Sequence, residues 1–323
     1  MSQAGQTIAI LYNVVDASDR EDINSIIEGV TGVKAALDRL GHQSSLIRVN
    51  DGVLPLVTTL SVTKPDLVFN LCEGYDDRSE GEVFVAGLLE LLRIPYTGSA
   101  PSALALGLEK SRTKALLSAS GIPTPRSVLC RTSADAPIGP RFPLMLKLDR
   151  EDASLGITPA NVVADEAALR QRLGELLEAY QTPVLVEEFV DGREFTVAIL
   201  DGTPIALEEI EFDVSPRIVC YRAKWEKASP QYRGTRASFT PVVTGIQRQE
   251  MLTLATRVYE LLGIRDYGRV DFRMDQEGHV FVLEANPNPD ITPDSGYQKA
   301  LDAAGISYQD FIARLVRNAL ARA

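Results

Sequence analysis

Asp271 and Glu284 form the most reactive-looking pairing that this chain offers. They lie in DYGRVDFRMDQEGHVFVLEANPNPD, residues 266–290, which reads as two strands around a tight turn. Glu277-Gly278 is an acidic-Gly pair suited to a two-residue hairpin loop. Counting back from it, Gln276 faces His279, Asp271 faces Glu284 and Arg269 faces Asn286, while Phe272 meets Leu283 and Met274 meets Phe281 on the other face. One face is then apolar and packs on a core, and the other carries two carboxylates, an amide and an arginine. Facing carboxylates repel unless positive charge sits between them. A hard divalent cation with oxygen ligands supplies that charge, and protein-bound Mg²⁺ commonly holds substrate phosphates as well. Asp271, Glu284 and Asn286 are therefore the expected metal ligands, for Mg²⁺ or its substitute Mn²⁺. Arg269 is placed to hold an anion beside the ion. The plainer alternative is a solvated polar hairpin face; the register, Asn286, and the rigid Pro287 and Pro289 favour the metal site.

A metal-phosphate site needs further cations and amides. The chain has no G-x-x-x-x-G-K-[ST] and no G-x-G-x-x-G, so neither the P-loop nor the dinucleotide fingerprint supplies them. Lys147 lies in the apolar run LMLKL, where an unpaired ammonium is costly and a phosphate would relieve the cost. Lys110 ends LALGLEK, and the polar loop DREDASLGI, 149–157, could cradle phosphates with backbone amides. Glu73, in NLCEG, could catch a substrate ammonium, although loop carboxylates are more often merely solvated.

The elements that must position these residues are legible as patterns. TIAILY (7–12), SSLIRV (44–49) and DLVFNL (66–71) read as strands, with helices at about 22–40 and 79–92, a β-α-β-α-β run that argues a small parallel sheet. Ligands of such sheets sit at the carboxyl ends of the strands, here Asn13–Asp19 and Cys72–Asp77. Residues 101–119 look helical, and Gly121-Ile-Pro-Thr-Pro breaks the pattern. RSVLC, FPLMLKL and VLVEEFV read as strands, with a helix at about 166–180. Asp191-Gly192 and Asp201-Gly202 both carry the type I′ hairpin signal. Residues 213–241 look least regular, and a loop that long is often a lid. Helices at about 247–262 and 308–320 complete the reading. Three lobes follow: 1–100, 101–190 and 191–323.

Composition bounds the function. The chain has 323 residues, 45% hydrophobic and 24% charged, and a net charge of −11 with pI near 4.9, a surface that repels phosphate backbones and argues against nucleic acid. No apolar run reaches membrane-spanning length, and the first residues lack a signal peptide's charged start. Three scattered cysteines fit a reducing cytoplasm, and two histidines leave no histidine metal cluster. Chemistry falls to carboxylates, Arg, Lys and backbone amides.

The ordered set LEK (108–110), MLKL with DREDASLGI (145–157), VEEFVDGREFTV (186–197), YRAKW (221–225), GRVDFRM (268–274) and LEANPNP (283–289) resembles an ATP-grasp enzyme of the D-alanine–D-alanine ligase type. IPYTGS (94–99) and AAGISYQDFI near the C-terminus are similar too. The resemblance runs from about residue 66 to 320. It implies an α/β ATP-grasp fold, with a parallel N-terminal lobe and ATP held between antiparallel sheets of the central and C-terminal lobes. Lys110, Lys147 and Ser154 would contact the phosphates. Glu187, Glu188, Phe189 and Val190 would line the adenine pocket, and Glu194 would take the ribose hydroxyls. Lys224 would reach the γ-phosphate from the lid, and Trp225 would cover the substrate. Asp271, Glu284 and Asn286 would hold Mg²⁺, and Arg269 would stabilise the transferred phosphoryl group. Ser295 and Gly296 match positions that bind the carboxylate of the amine substrate. A homodimer is also implied.

Departures from the family pattern fall on the substrate side. YNVVDASDREDINSI stands where the family has a glycine-rich strand end and S-x-E-R-x-V-S. Ala153 replaces a serine of the phosphate loop, Trp225 a lid tyrosine and Glu188 an adenine-pocket lysine. Pro287-Asn288-Pro289-Asp290 replaces a small-residue segment. The expected function is an ATP-dependent carboxylate–amine ligase working through an acyl phosphate on small molecules other than D-alanine. The alternatives are a true D-alanine–D-alanine ligase and a nucleotide-binding regulatory protein without turnover.

Overall fold

Ile8, Ala9, Ile10 and Leu11 are consecutive and all buried. A strand this apolar must be covered on both faces. In the computed structural model, which describes residues 5–14, 21–76, 78–151 and 154–322, with no side chains for 21–25, it is so covered. Strand β1 (Thr7–Tyr12) is followed by α1 (Glu21–Arg39), β2 (Gln43–Arg48), α2 (Val53–Thr63), β3 (Leu67–Leu71) and α3 (Gly81–Leu92). The sheet is parallel, in the order β2-β1-β3. Ala9 and Leu11 pack with Leu56 and Leu60 of α2 and Val85 and Leu89 of α3. The α2 segment reads poorly as a helix because it is β-branched and contains Pro55. Burial of Leu56 and Leu60 decides it, and a proline is tolerated in a first turn.

The helical run after residue 100 is two helices, α4 (Pro101–Leu108) and α5 (Lys110–Ala119), broken at Glu109, whose ψ is 83°. Next come β4 (Ser127–Cys130), β5 (Leu144–Leu148), β6 (Val162–Val163), α6 (Glu166–Tyr180) and β7 (Val184–Glu188). These strands form an antiparallel sheet, β4-β7-β5-β6, backed by Leu169, Leu173 and Leu176 of α6. The chain continues through β8 (Gly192–Leu200), β9 (Thr203–Phe212), α7 (Tyr221–Trp225), α8 (Pro230–Arg233), β10 (Thr235–Ser238), α9 (Gly245–Leu262), β11 (Tyr267–Asp275) and β12 (Val280–Asn286). It ends with α10 (Gly296–Ala303) and α11 (Tyr308–Ala321). The second antiparallel sheet has the order β10-β9-β8-β11-β12. Residues 213–241, expected to be the least regular, thus contain α7, α8 and β10. Helix α11 packs Phe311 and Leu315 against Ile8, Ile10 and Phe69, so the last helix completes the core under the first sheet.

Two turns differ from expectation. Asp201-Gly202 is the expected hairpin, with φ of 51° and 74° joining β8 to β9. Asp191-Gly192 is not: β7 pairs with β4 and β5, whereas β8 pairs with β9 and β11. Gly192 is needed there because a Cβ would overlap the carbonyl of Met274 on β11. A close approach of two backbones and a tight turn select the same residue. In the β11–β12 hairpin Asp275 bonds to His279, so the turn holds three residues rather than two. Phe272 therefore faces Val282 and Met274 faces Val280, not Leu283 and Phe281. A β-bulge at Leu283 then restores the count, and Asp271 faces Glu284 and Arg269 faces Asn286 as read from the sequence.

Gly107 of α4 lies against the Pro287 ring just beyond β12, and a Cβ there would overlap it. Gly107→Ala is expected to lower the unfolding free energy by about 1–3 kcal/mol in urea titration. Gly174→Ala in α6, where a Cβ meets nothing within 4 Å, should instead raise it by about 0.5–1 kcal/mol.

Candidate active site

Residues paired across neighbouring strands share a face of the sheet. Register places Glu208, Thr196, Asp271 and Glu284 in one row across β9, β8, β11 and β12. Beside it run Ile210, Glu194, Arg273 and Phe281 on one flank and Ala206, Ala198, Arg269 and Asn286 on the other. This face closes a cavity of about 200 Å³ against β5 and β7 of the other sheet, with α7 at its edge.

The cavity gathers most of the expected residues. Lys147, Ser154, Glu187, Glu188, Phe189, Val190, Glu194, Lys224, Arg269, Asp271, Glu284 and Gly296 line it. Lys110 opens α5, buried, with its ammonium donating to the Glu151 carbonyl; it acts on Glu284 from behind the wall. Asn286 ends β12 beyond the lining, its Oδ1 accepting from Asn288 N at 2.8 Å. Ser295 is the N-cap of α10, its Oγ accepting from Gln298 N at 3.1 Å, so its neighbour Gly296 reaches the cavity instead. Trp225 ends α7 half-buried, off the cavity wall. Glu73 is exposed in the loop after β3, with its N–H bound to Asn13 Oδ1 at 2.8 Å, and does not line the cavity. Residues 15–20, Asp77, and Asp152 and Ala153 of the phosphate loop lie outside the described residues. Ser154, in a left-handed conformation at φ 60°, donates to the Val219 carbonyl at 2.9 Å and so ties this loop to the 213–241 segment.

Ion pairs organise the walls. Glu187, 2% exposed, lies 2.7 Å from both Lys114 and Lys147. Burial alone would raise its carboxyl; the two lysines overcome that and hold it below the ordinary value. Lys147 is raised, because Glu187, Glu284 and Glu194 together outweigh its burial. Lys114 is lowered, because its burial and the like charge of Lys147 outweigh its share of Glu187. Glu187 is thus committed to two ammonium groups as well as lining the cavity. Arg273, 3% exposed, pairs with Glu194 at 2.8 Å and stacks its guanidinium 5.3 Å from the Phe189 ring centre. Glu188 pairs with Arg126 at 2.7 Å toward solvent.

A further pair ties up one of the expected metal ligands. Arg269 donates through Nε and Nη2 to the two oxygens of Asp271, each at 2.9 Å, and Thr196 Oγ1 donates to Asp271 at 3.0 Å. Burial opposes the charge on Arg269, and Asp271, Glu284 and Glu208 more than offset it. Glu284 is held down to about 2: Lys110, Lys147, Lys224 and Arg269 together overcome its burial. The expectation that only a metal reconciles the facing carboxylates is therefore too narrow, because the protein's own cations surround them. The donor set still fits a hard cation. Glu284 is ionised yet, among the described residues, accepts no hydrogen bond, and every candidate ligand atom is an oxygen.

Lys114, Arg273, Thr196 and Glu208 were not read from the sequence. Strand parity gives Arg273, which follows Arg269 and Asp271 at steps of two. Helical spacing gives Lys114, one turn after Lys110. Glu208 sits in LEEIEF with two other glutamates, and nothing local marks which of them is buried.

Residues 131–317 match the family model described as D-ala D-ala ligase C-terminus. D-alanine–D-alanine ligase B of Pseudomonas putida is 31% identical over 322 residues, covering 97% of this chain and 93% of that protein. D-alanine–D-alanine ligase of Stutzerimonas stutzeri is 32% identical over 317 residues, covering 97% and 94%. An uncharacterized protein of Sinorhizobium fredii is 32% identical over 292 residues, covering 87% and 84%. Among solved structures, D-alanine–D-alanine ligase of Bacillus anthracis complexed with ATP superposes with a TM-score of 0.80 at 22% identity, covering 98% of both chains.

Removing Glu187's charge strands two buried ammonium groups. Glu187→Gln is expected to lower the unfolding free energy at pH 7 by about 3–5 kcal/mol in denaturant titration. Because the folded carboxyl lies below its ordinary 4.5, the contribution is fully present above that pH and is lost as pH falls below it. The gap between wild type and variant should therefore narrow in acid.

Proposed function

Since this chain belongs to the D-alanine–D-alanine ligase family, an ATP-grasp family of ATP-dependent ligases, we propose that it joins two small amino acids through an acyl phosphate, with D-alanine as the substrate pair. The observation that carries this reading is the convergence of Asp271, Glu284, Arg269, Lys147 and Lys224 on one cavity between two antiparallel sheets. A carboxylate is a poor electrophile. In this reading a carboxylate oxygen of the first amino acid bonds to the γ-phosphorus of ATP, and ADP leaves. The amine of the second then attacks the carbonyl carbon, phosphate leaves, and the nitrogen gives up a proton.

Each residue has a task in that sequence. Lys147 and Lys224 neutralise phosphate oxygens, and Arg269, already oriented by Asp271, offers a fixed guanidinium to the developing negative charge. Mg²⁺, held by Asp271, Glu284 and Asn286, would supply charge neutralisation at the phosphates when bound. The segment carrying Lys224 would cover the cavity and keep water from the acyl phosphate.

A second reading, another amino-acid pair, is favoured by Asp290. This residue stands in the segment that departs from the family's small residues, and it is close enough to Arg269 and Lys224 for both to act on its carboxyl, which burial raises. Incubation with Mg²⁺-ATP and D-alanine, or with pools of other amino acids, separates the readings by phosphate release and product mass. D-alanyl-D-alanine is the expected product. Phosphate release only with a different pair would favour the second reading, and ATP binding without turnover on any pool would overturn both. Glu284→Gln is expected to cut turnover at least ~100-fold with an unchanged circular dichroism spectrum; wild-type turnover would remove Glu284 from the metal site.

A further inference from the structure

Six carboxylates line the main cavity among the described residues, and the ion pairs above account for four of them. Glu187 serves two lysines, Glu188 serves Arg126, Glu194 serves Arg273 and Asp271 serves Arg269. Glu284 faces the lysines and takes the proposed metal. That leaves Glu208. It is 7% exposed, and among the described residues it makes no hydrogen bond and no ion pair. Arg269, which acts on it electrostatically, has Nε and Nη2 on Asp271.

A buried carboxylate without a partner is costly, and the cost falls when a positive group arrives. Burial, with Asp271 near it, pushes the Glu208 carboxyl up to about 7 against the pull of Arg269 and Lys299. The place of Glu208 says which cation it awaits. It stands two strands from Asp271 in the same cross-strand row, roughly 10 Å along the sheet at the usual strand spacing. Thr196 lies between them, so Glu208 is displaced from Asp271 and farther still from Glu284. It also lines a small recess with Ala198, Ala206, Phe239, Tyr297 and Gly296, the last at the start of α10. Arg269 also lines that recess, with its Nε and Nη2 committed to Asp271, and no lysine does.

The geometry points to Glu208 as the residue that binds the positively charged nitrogen of the amine substrate. The inference rests on the cavity being the ligase active site proposed above. The nitrogen is the α-ammonium of the acceptor or an ammonium on its side chain; both present the same chemistry to a carboxylate.

Binding, rather than turnover, tests it. The full chain is titrated calorimetrically in Mg²⁺ and a non-hydrolysable ATP analogue with D-alanine, with its hydroxy isostere D-lactate, and with D-ornithine. Wild type should prefer D-alanine to D-lactate, or D-ornithine to D-alanine, by roughly 10- to 100-fold, the worth of a hydrogen bond to a charged group. Glu208→Gln should erase that preference. The first pattern assigns the α-ammonium to Glu208 and the second a side-chain ammonium. Glu208→Asp, which keeps the charge one methylene shorter, should retain a reduced preference and serves where the glutamine variant fails to fold. Preferences unchanged in Glu208→Gln, or in Glu208→Asp where only that variant folds, would overturn the inference, as would a loss confined to Mg²⁺ affinity. A wild type that binds these ligands with the stated preference yet never turns over would sink the ligase reading alone.

Discussion

Charge without water is the constraint on this molecule. One face of the β10-β9-β8-β11-β12 sheet carries Glu194, Glu208, Asp271, Glu284, Arg269 and Arg273, and the facing sheet adds Lys147 and Glu187. Most of these groups are largely withdrawn from solvent, so each must find an opposite charge within the protein or await one from a ligand. The Arg269–Asp271 chelate and the shared Glu187 meet that demand internally. They also fix the side chains that the chemistry needs, since a guanidinium held at two points has lost its rotamer freedom before any substrate arrives. Stability and preorganisation here are one arrangement of charges.

The legible part of this arrangement was the part set by local periodicity. The facing of Asp271 and Glu284 was read from a two-residue turn and a step of two, and it holds because the bulge at Leu283 offsets the third turn residue. The parallel first sheet follows from its buried apolar runs. What stayed illegible depends on contacts between distant segments. Nothing near Glu187 announces Lys114, 73 positions earlier, because the pair exists only once α5 lies against the central sheet. Asp191-Gly192 shows the opposite failure: a strong local signal had a tertiary cause, the backbone of β11 passing too close for any side chain. Lys147 was read as needing a phosphate to relieve its buried charge, and the structure gives it Glu187, a residue of the same wall.

The cavity walls and the loops at their edge differ in how they are built. Lys147, Glu187 and Arg273 sit on strands with strand neighbours on both sides, which leaves little latitude for movement. The first lobe reaches the site through polar links: Asn288 donates to the Cys72 carbonyl at 3.2 Å and to Glu82 at 3.1 Å and accepts from Tyr267 at 3.0 Å, and Ser79 Oγ donates to Glu151 at 3.1 Å. The loop after β3 is thereby anchored to the segment that follows β12. Differences in that segment, Pro287 to Asp290, therefore bear on the loop after β3 and on the end of β12 at once.

The hairpin that presents the acid pair contains two departures of opposite sense, a three-residue turn and the bulge at Leu283. They behave like a vernier, in which one scale slips by a division and the other slips back. The turn tip is consequently insulated from the chemistry only while the bulge stays where it is. Should the bulge straighten with Leu283 kept in the strand, that aliphatic side chain would stand opposite Asp271, where the carboxylate belongs.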